Sequence, residues 1–393
     1  MSRSLAPTAL MLGNVVTGLA IMSPTGMLGD LAKGLGVSVY QAGLLITFGA
    51  AVLCVGSPMM TWLTSRIDRR LLLAGTMLVV GVCHLALMAA PDYAALLAVR
   101  LVMLAIAALF TPIAAGTASQ IVPEARRAGT IVYVFLGWSL AFAFGMPVIT
   151  FTAAHVGWRE TLGGIGALAL VVAVLIAIFL PKGLVGASVD LRTWLALARN
   201  RMVLLLLSIT TLQIAGQFAV FAYLAPLLTR IGGATPEIIS LSFMIYGVCG
   251  FLGNLFAMRI VGPFGPFRTS VFFMMSLLAG SMLWTLGAGL ATLWVLLAAS
   301  VPWGFGFAAM NSMQQARLVA AAPASANASV ALNTSVLYVG QAIGSGLGGA
   351  FFAREQIHGN GYAAVAFIAL ALVVLWRTRP VIAAATVSAA PAE

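Results

Sequence analysis

Long apolar stretches separated by short polar breaks run through nearly the whole chain. A helix needs about 20 mostly apolar residues to cross a bilayer, and twelve stretches are close to that length or longer. The breaks between them hold glycine, proline or charged residues, which end helices and form turns. The twelve predicted spans are residues 8–28, 41–64, 71–90, 93–121, 127–154, 159–180, 202–229, 236–260, 267–289, 291–318, 325–353 and 361–377. This pattern predicts an all-α polytopic membrane protein with twelve transmembrane helices.

The longest polar interval divides the twelve spans into two groups of six. It covers 181–201, and it predicts an N-terminal six-helix bundle at 1–180 and a C-terminal six-helix bundle at 202–380. The segment 191–199 fits either a short helix on the membrane surface or a plain cytoplasmic linker. The alanine-rich tail, 381–393, is predicted to be disordered.

Composition and charge narrow the class of protein. Of the 393 residues, 62% are hydrophobic and only 7% are charged, whereas soluble domains have about 25% charged residues. The net charge is +11, but the basic residues stand in short groups between apolar stretches, so we expect a topology signal and no binding to nucleic acid. With the N-terminus in the cytoplasm, 15 Lys and Arg residues fall on the cytoplasmic side and four on the opposite side. This bias predicts a multi-pass protein with both termini in the cytoplasm.

The sequence gives no sign of metal, cofactor or enzyme chemistry. Cys54, Cys83 and Cys249 all lie inside apolar stretches, without a CxxC neighbour or a histidine at metal spacing. We interpret them as small hydrophobic residues and expect no disulfide, metal site or cofactor. A membrane enzyme would need Asp, His or Cys residues clustered near one interface. Because the sequence shows no such cluster, we do not expect an enzyme.

A short basic loop joins the second and third predicted spans. It reads Ser65-Arg66-Ile67-Asp68-Arg69-Arg70, and a tight basic loop with one acid can pair with neighbouring helix ends and hold one face closed. The loop resembles the signature of the major facilitator superfamily, which has the form G-x-x-x-D-R-x-G-R-R. The match covers Arg66, Arg69 and Arg70, whereas Ser65 stands where the family has Asp and Asp68 where it often has Gly. The resemblance implies a gating loop of Arg66, Asp68, Arg69 and Arg70; the alternative is a loop that only sets topology.

Two glycine-rich stretches extend the resemblance over nearly the whole chain. The fifth span holds Gly137, Gly145 and Pro147; small residues permit close helix contact, and proline bends a helix by removing a backbone hydrogen bond. This stretch resembles the antiporter signature of the drug:proton antiporter branch, with Gly-Met-Pro in place of Gly-Pro. Glycines at spacing four within 340–349 predict a close contact between the eleventh span and another helix. The region 326–349 is similar to arabinose-efflux-like sugar and drug exporters.

Arg100 is the only charged residue predicted to lie deep enough inside a span to need a partner. A charge within the bilayer is costly, so it marks a functional site by default. The resemblance implies a role in proton coupling, because the family has an arginine here in an R-x-x-x-G signature, although Leu104 replaces the glycine. The alternative is a side chain that extends to the outer interface. No Asp or Glu is predicted well inside a span, and Thr25 follows Pro24 where the family often has an acid.

Uncharged polar residues on four spans are candidates for the substrate cavity. In the fold that the resemblance implies, spans 1, 7, 10 and 11 line a central cavity between the two halves. The predicted cavity residues are Asn14, Thr17, Gln213, Gln217, Asn311, Gln314, Asn333, Tyr338 and Gln341. Uncharged amides suit hydroxyl-rich or zwitterionic solutes better than strong cations. The alternative for each residue is a hydrogen bond between helices.

We therefore predict a secondary transporter that exports a small organic solute (a sugar, drug or metabolite) by alternating access between two six-helix bundles. Exchange for protons is implied by the resemblance alone. The alternatives are a uniporter or importer of a small metabolite and, more remotely, a non-transporting membrane receptor, which would need a soluble signalling domain. We expect a monomer in the lipid bilayer of the bacterial inner membrane, with a small-molecule substrate and protons as its partners.

Overall fold

The computed structural model describes residues 5–64, 66–185 and 197–379, and every long element within them is a helix. Helices are required because a bilayer offers no hydrogen-bond partners, so each span must pair its own backbone groups. The helices that form the spans are Ala6–Gly26 (span 1), Val39–Leu63 (span 2), Arg69–Met88 (span 3), Tyr93–Ala107 and Phe110–Gln120 (span 4), Arg127–Leu140 and Met146–His155 (span 5), Trp158–Phe179 (span 6), Arg201–Phe221 (span 7), Pro236–Gly289 (spans 8 and 9), Leu293–Ala321 (span 10), Ala326–Ala353 (span 11) and Gly359–Arg377 (span 12).

The longest of these helices is two spans joined by a sharp bend. Pro236–Gly289 has 54 residues, or about 80 Å at 1.5 Å per residue, whereas the hydrocarbon core of a bilayer is about 30 Å thick. Gly265 interrupts it with a left-handed φ of 74°, a conformation that glycine adopts without steric cost. The ring centroids of Phe256 and Phe272 lie 5.9 Å apart, so the chain folds back after the bend. The prediction of twelve transmembrane helices is confirmed, with span 8 before Gly265 and span 9 after it.

Spans 1 and 7 end in the same way. A short helix follows each of them, Leu28–Leu35 after span 1 and Leu224–Gly232 after span 7. Each short helix stops at a glycine with a left-handed φ, 65° at Gly36 and 63° at Gly233, which is the usual way to satisfy the last carbonyls of a helix. The repeated break relates spans 1–6 to spans 7–12 as two structural halves.

Glycines bring the backbones of spans 7 and 11 into direct contact. A Cβ built on Gly340, Gly344 or Gly348 would lie 2.5, 2.3 or 2.3 Å from a carbonyl oxygen of span 7. In the first half, a Cβ on Gly137 of span 5 would lie 2.3 Å from a carbonyl oxygen of span 1, and one on Gly145 would lie 2.1 Å from a side chain of span 1. Lipid gives helices no hydrophobic reason to associate, so close backbone packing is what holds such pairs together. The predicted glycine contact of span 11 is confirmed, and its partner is span 7.

The outer surface of the helices is apolar. Leu71, Val102 and Trp294 are 70%, 58% and 73% exposed, and other large apolar side chains are exposed on most spans. A soluble protein could not tolerate so much apolar surface, but lipid tails cover it in a membrane. The predicted linker, 181–201, and the predicted disordered tail, 381–393, fall largely on residues outside the described ranges, as does the predicted surface helix at 191–199.

Candidate functional site

The two halves meet through spans 2 and 11 and through spans 5 and 8. The hydroxyl oxygens of Thr47 in span 2 and Ser345 in span 11 lie 2.9 Å apart. His155 at the end of span 5 places its Nε2 atom 3.2 Å from Oε1 of Glu237 at the start of span 8. All four residues lie toward the connections between spans 1 and 2, 5 and 6, 7 and 8, and 11 and 12. We call this end of the molecule the closed end.

Tyr223 fills the space between spans 2 and 11 at the closed end. Its hydroxyl oxygen lies 2.0 Å from the position of a Cβ built on Gly43 of span 2, and 2.3 Å from one built on Gly349 of span 11. The ring also stacks on Phe352, with centroids 5.7 Å apart and an interplanar angle of 22°. Tyr223 lies in the break after span 7, which turns its ring toward the other half. Only glycine at both neighbouring positions leaves room for this ring.

Arg100 is buried between spans 1, 2 and 4 and donates hydrogen bonds to three carbonyls. They belong to Ala20 at 3.1 Å, Ile21 at 2.8 Å and Leu45 at 3.3 Å. Pro24 has no N–H to offer the Ala20 carbonyl four residues earlier, so the guanidinium takes the place of a missing helix hydrogen bond. The side chain is only 2% exposed. Oriented carbonyls thus stabilise the charge inside the bilayer, while the coupling role of Arg100 stays a prediction.

Side-chain amides and aromatic rings gather where spans 5, 7, 8 and 10 meet. Gln213 donates to the side-chain oxygen of Asn311 at 2.9 Å, and Gln217 accepts from the Tyr246 hydroxyl at 3.2 Å. The Tyr246 ring lies 5.6 Å from that of Phe307, between centroids. Two further rings complete the group: Phe221 of span 7, 4.8 Å from Tyr246, and Phe142 of span 5, 5.6 Å from Phe307. We call these seven residues the central cluster; Phe142 belongs to the first half and the other six to the second.

Four of the six remaining predicted cavity residues make side-chain hydrogen bonds within their own half. Asn14 donates to the Val134 carbonyl at 2.9 Å and accepts from Thr111 at 2.8 Å. Thr17 donates to the carbonyl one turn earlier in its own helix. In the second half, Gln314 donates to the Leu206 carbonyl, Asn333 accepts from Thr210, and both Tyr338 and Gln341 are buried. Of the nine predicted residues, the structure thus brings Gln213, Gln217 and Asn311 together with the rings.

The predicted site residues did not include the four aromatic residues of the central cluster, and one arginine was placed differently. Tyr246 and Phe142 carry no sequence signal beyond being aromatic residues inside apolar spans. Arg317 is one of the 15 basic residues assigned to the cytoplasmic side, at the end of the span predicted at 291–318, but the helix continues to Ala321 and the side chain is buried. Arg317 donates to Gln314 at 3.2 Å and to Thr378 after span 12, so it joins spans 10 and 12.

The predicted gating loop is tied to the residues that follow span 6. One carboxylate oxygen of Asp68 caps span 3 by accepting from the N–H groups of Arg70 and Leu71, at 2.9 and 3.2 Å. The other oxygen accepts from the Gly183 N–H. Burial alone would raise the pKa of the Asp68 carboxyl, but these three backbone N–H groups together lower its pKa below the ordinary value. Arg69 also donates its backbone N–H to the Leu184 carbonyl at 2.8 Å, while the side chain of Arg66 is exposed.

The predicted bend of span 5 coincides with a change of helix type. Residues Ala141–Gly145 form a π-helical turn, in which the Met146 N–H bonds to the Ala141 carbonyl five residues earlier. Pro147 follows directly. Such turns insert one extra residue into a helix and often occur at functional sites. Here the turn also carries Phe142 into the central cluster.

Comparison with known proteins agrees with this architecture. The family model of the Major Facilitator Superfamily matches residues 10–344. "Inner membrane transport protein YdhP" of Escherichia coli is 29% identical over 362 residues, which cover 91% of this chain and 90% of that protein. A protein of Helicobacter acinonychis named "Probable sugar efflux transporter" is 27% identical over 349 residues, covering 89% and 87%.

Solved structures show the same fold. A bacterial homologue of the human lysosomal transporter Spinster, in an inward-facing and unoccupied conformation, superimposes with a TM-score of 0.73 at 15% identity and covers 96% of this chain and 97% of that one. A variant of the nucleoside transporter NupG also gives 0.73, at 12% identity and with coverage of 95% and 98%. The chain belongs to the Major Facilitator Superfamily. It is a multi-pass membrane transporter of small solutes and not an enzyme.

Proposed function

We propose that this protein exports a small organic solute across the bacterial inner membrane by alternating access, as a monomer, in exchange for protons. The observation that carries the proposal is the way the two halves meet. The central cluster draws residues from both halves, and small, separable contacts such as Thr47 with Ser345 and Tyr223 with Gly43 hold the closed end. Transport in this fold requires that such contacts break at one end while the site between the halves stays intact.

The relatives support the direction and the membrane. YdhP is named an inner membrane transport protein and the Helicobacter protein a sugar efflux transporter, which favours export over import and a sugar over a drug. The 15 to 4 distribution of basic residues supports cytoplasmic termini. A reporter that is active only in the periplasm, fused after Arg379, should stay silent. Activity of that fusion would contradict the proposed orientation.

Facilitated transport without protons is the second candidate. The nine Asp and Glu residues of the sequence all fall in loops, at span ends or in the tail, and Thr25 is fully buried at the position where a carboxylate would follow Pro24. A proton carrier within the spans would therefore have to be a group other than a carboxylate. This observation favours a uniporter, and the same experiment separates the two candidates.

The test uses purified protein in proteoliposomes and a panel of radiolabelled sugars, drugs and metabolites, with protein-free liposomes as the control. For an exporter driven by protons, an imposed pH gradient should accelerate movement of the substrate against the direction of proton flow and should build up a concentration difference. Equal rates with and without the gradient would establish the uniporter. Failure of every compound to move would contradict the proposed function.

A further inference from the structure

Two buried glutamines of the central cluster each have one end of the amide without a partner. Gln213 uses its nitrogen to bind Asn311, and no described residue donates a hydrogen bond to its Oε1 atom. Gln217 uses its oxygen to accept from Tyr246, and no described residue accepts from its Nε2 atom. Neither side chain has any exposed surface. Because buried polar groups in proteins are almost always paired, such an atom calls for a specific explanation.

The two free amide ends are complementary, and the residues that carry them lie on one face of span 7. Gln213 and Gln217 are four residues apart on span 7, so they share one face of the helix and their Cβ atoms are about 5–6 Å apart. Gln213 offers an acceptor and Gln217 a donor. A hydroxyl group is both donor and acceptor, so one hydroxyl or two adjacent hydroxyls can satisfy both ends. A carboxylate, which only accepts, would leave Gln213 unpaired, and an ammonium group, which only donates, would leave Gln217 unpaired.

The surroundings of the two amides are aromatic and uncharged. Rings of Tyr246, Phe307 and Phe142 lie within 6.3 Å of one another, between centroids, and Phe307 and Phe142 are half-buried. Three arginines are buried among the described residues. Arg100 binds carbonyls, Arg317 binds Gln314 and Thr378, and Arg69 lies at the first residue of span 3, outside the cluster. Aromatic rings favour the apolar face of a ring-shaped solute over a charged group that would have to lose its water.

We propose that Gln213 and Gln217 form a hydroxyl-binding subsite for an uncharged, ring-shaped solute whose apolar face packs on Phe142, Phe307 and Tyr246. This inference rests on the proposed function, because it places the transported solute at the central cluster. Phe142 is the one ring supplied by the first half, so the bound solute contacts both halves. The amides select hydroxyls on one side of the solute, and the rings pack on its apolar face on the other.

The test is a binding measurement on the purified protein with D-glucose, D-galactose and L-arabinose, each with its single-deoxy derivatives. D-glucuronate and D-glucosamine serve as the anionic and cationic controls. At least one neutral sugar should bind, with both charged relatives about ten-fold weaker or worse. One deoxy derivative should also bind about ten-fold more weakly, because the missing hydroxyl group leaves a buried amide unpaired again.

Variants assign that loss to the two glutamines. Gln213→Leu and Gln217→Leu should each weaken binding of the parent sugar about ten-fold and bring it level with the deoxy derivative. Gln315→Leu, which changes a half-buried amide of span 10 outside the cluster, should behave like the parent. Gln213→Leu also removes the hydrogen bond to Asn311, and Gln217→Leu the one to Tyr246, so each variant can lose some stability. Thermal unfolding of each variant therefore fixes a temperature at which it is folded, and binding is measured there.

The proposal is overturned if the charged sugars bind as well as the neutral ones, or if Gln217→Leu keeps the affinity of the parent and its preference over the deoxy derivative. In the second case the amide ends hold only water. The proteoliposome panel separates this failure from a failure of the proposed function. If a charged drug is transported and no neutral sugar binds, the proposed subsite is refuted but the proposed exporter function stands. If no compound of the panel moves, both proposals are refuted.

Discussion

Gly43→Ala should shift the protein away from the conformation in which its closed end is sealed. The added Cβ would lie 2.0 Å from the Tyr223 hydroxyl oxygen, where ordinary contacts begin at 3.4 Å, so the two must separate by about 1.4 Å. The ring cannot retreat, because Gly349 lies on its far side and Phe352 stacks on its face. Overpacking of this kind costs about 1–3 kcal/mol. Since the clash exists only when spans 2 and 11 are together, the open form should gain roughly 5- to 150-fold in population.

Distance measurements between spin labels at Lys33→Cys and Glu355→Cys report this shift. The two residues are exposed at the closed end and belong to different halves, and the labels are placed in a background without Cys54, Cys83 and Cys249. The parent should show mainly a short distance, and Gly43→Ala should transfer population to a longer one.

Two further variants make this prediction specific. Gly346→Ala is the matched control, because its Cβ would meet its nearest neighbour across the same interface at an ordinary 3.5 Å. Combining Gly43→Ala with Tyr223→Ala removes the ring and should restore the short distance. A folded Gly43→Ala protein with the distance distribution of the parent would refute the reasoning.

Three other predictions follow from described contacts. Arg100→Lys should impair gradient-driven transport nearly as much as Arg100→Ala, because lysine lacks the planar fork of donors that reaches three carbonyls. Each hydrogen bond to a charged group is worth about 1.5–3 kcal/mol, so transport should fall about ten-fold or more at matched expression. Transport by Arg100→Ala at the parental rate would exclude a coupling role. Gly344→Ala should lower the thermal unfolding temperature, since its Cβ would lie 2.3 Å from a backbone oxygen of span 7, whereas Gly346→Ala should leave it unchanged. Asp68→Ala should cost about 0.5–2 kcal/mol at pH 7 through the lost helix cap. Because the folded pKa of Asp68 is depressed, its contribution is present above the ordinary pKa of about 3.9 and is lost as the pH falls from there through the depressed folded pKa. The stability difference between parent and variant should therefore shrink as the pH is lowered below about 3.9; a difference that stays constant there would contradict this assignment.

The spans could be predicted from the sequence because the bilayer imposes them. Each crossing needs an apolar stretch of fixed minimum length, and turn residues mark its ends, so even the bend at Gly265 lies between the spans predicted at 236–260 and 267–289. The close contact made by Gly344 and its neighbours could also be predicted, since glycines at spacing four expose the helix backbone. Their partner helix could not, because any of the other spans would have fitted the pattern.

The central cluster could be predicted only in part. Gln213 and Gln217 were recognisable as polar residues on one face of a span, but Asn311 and Tyr246, their partners, lie 98 and 29 residues further along the chain. Only the packing of the helices brings these side chains together. The same limit applies to Arg100. Its need for partners follows from the cost of a buried charge, but its partners could not be named until the structure showed the carbonyl that Pro24 leaves free.

The direct backbone contact between spans 7 and 11 determines where the molecule can come apart. Tyr223 follows span 7 and Gly349 belongs to span 11, so the ring and one side of its socket travel on the same rigid pair of helices. A closely packed pair of backbones cannot slide or widen by a fraction of a side chain, as a looser interface can. The seam must therefore run along span 2, past Gly43 and Thr47. In the proposed alternating-access cycle, opening of the closed end would therefore carry the Tyr223 ring with the second half and away from Gly43 of the first half.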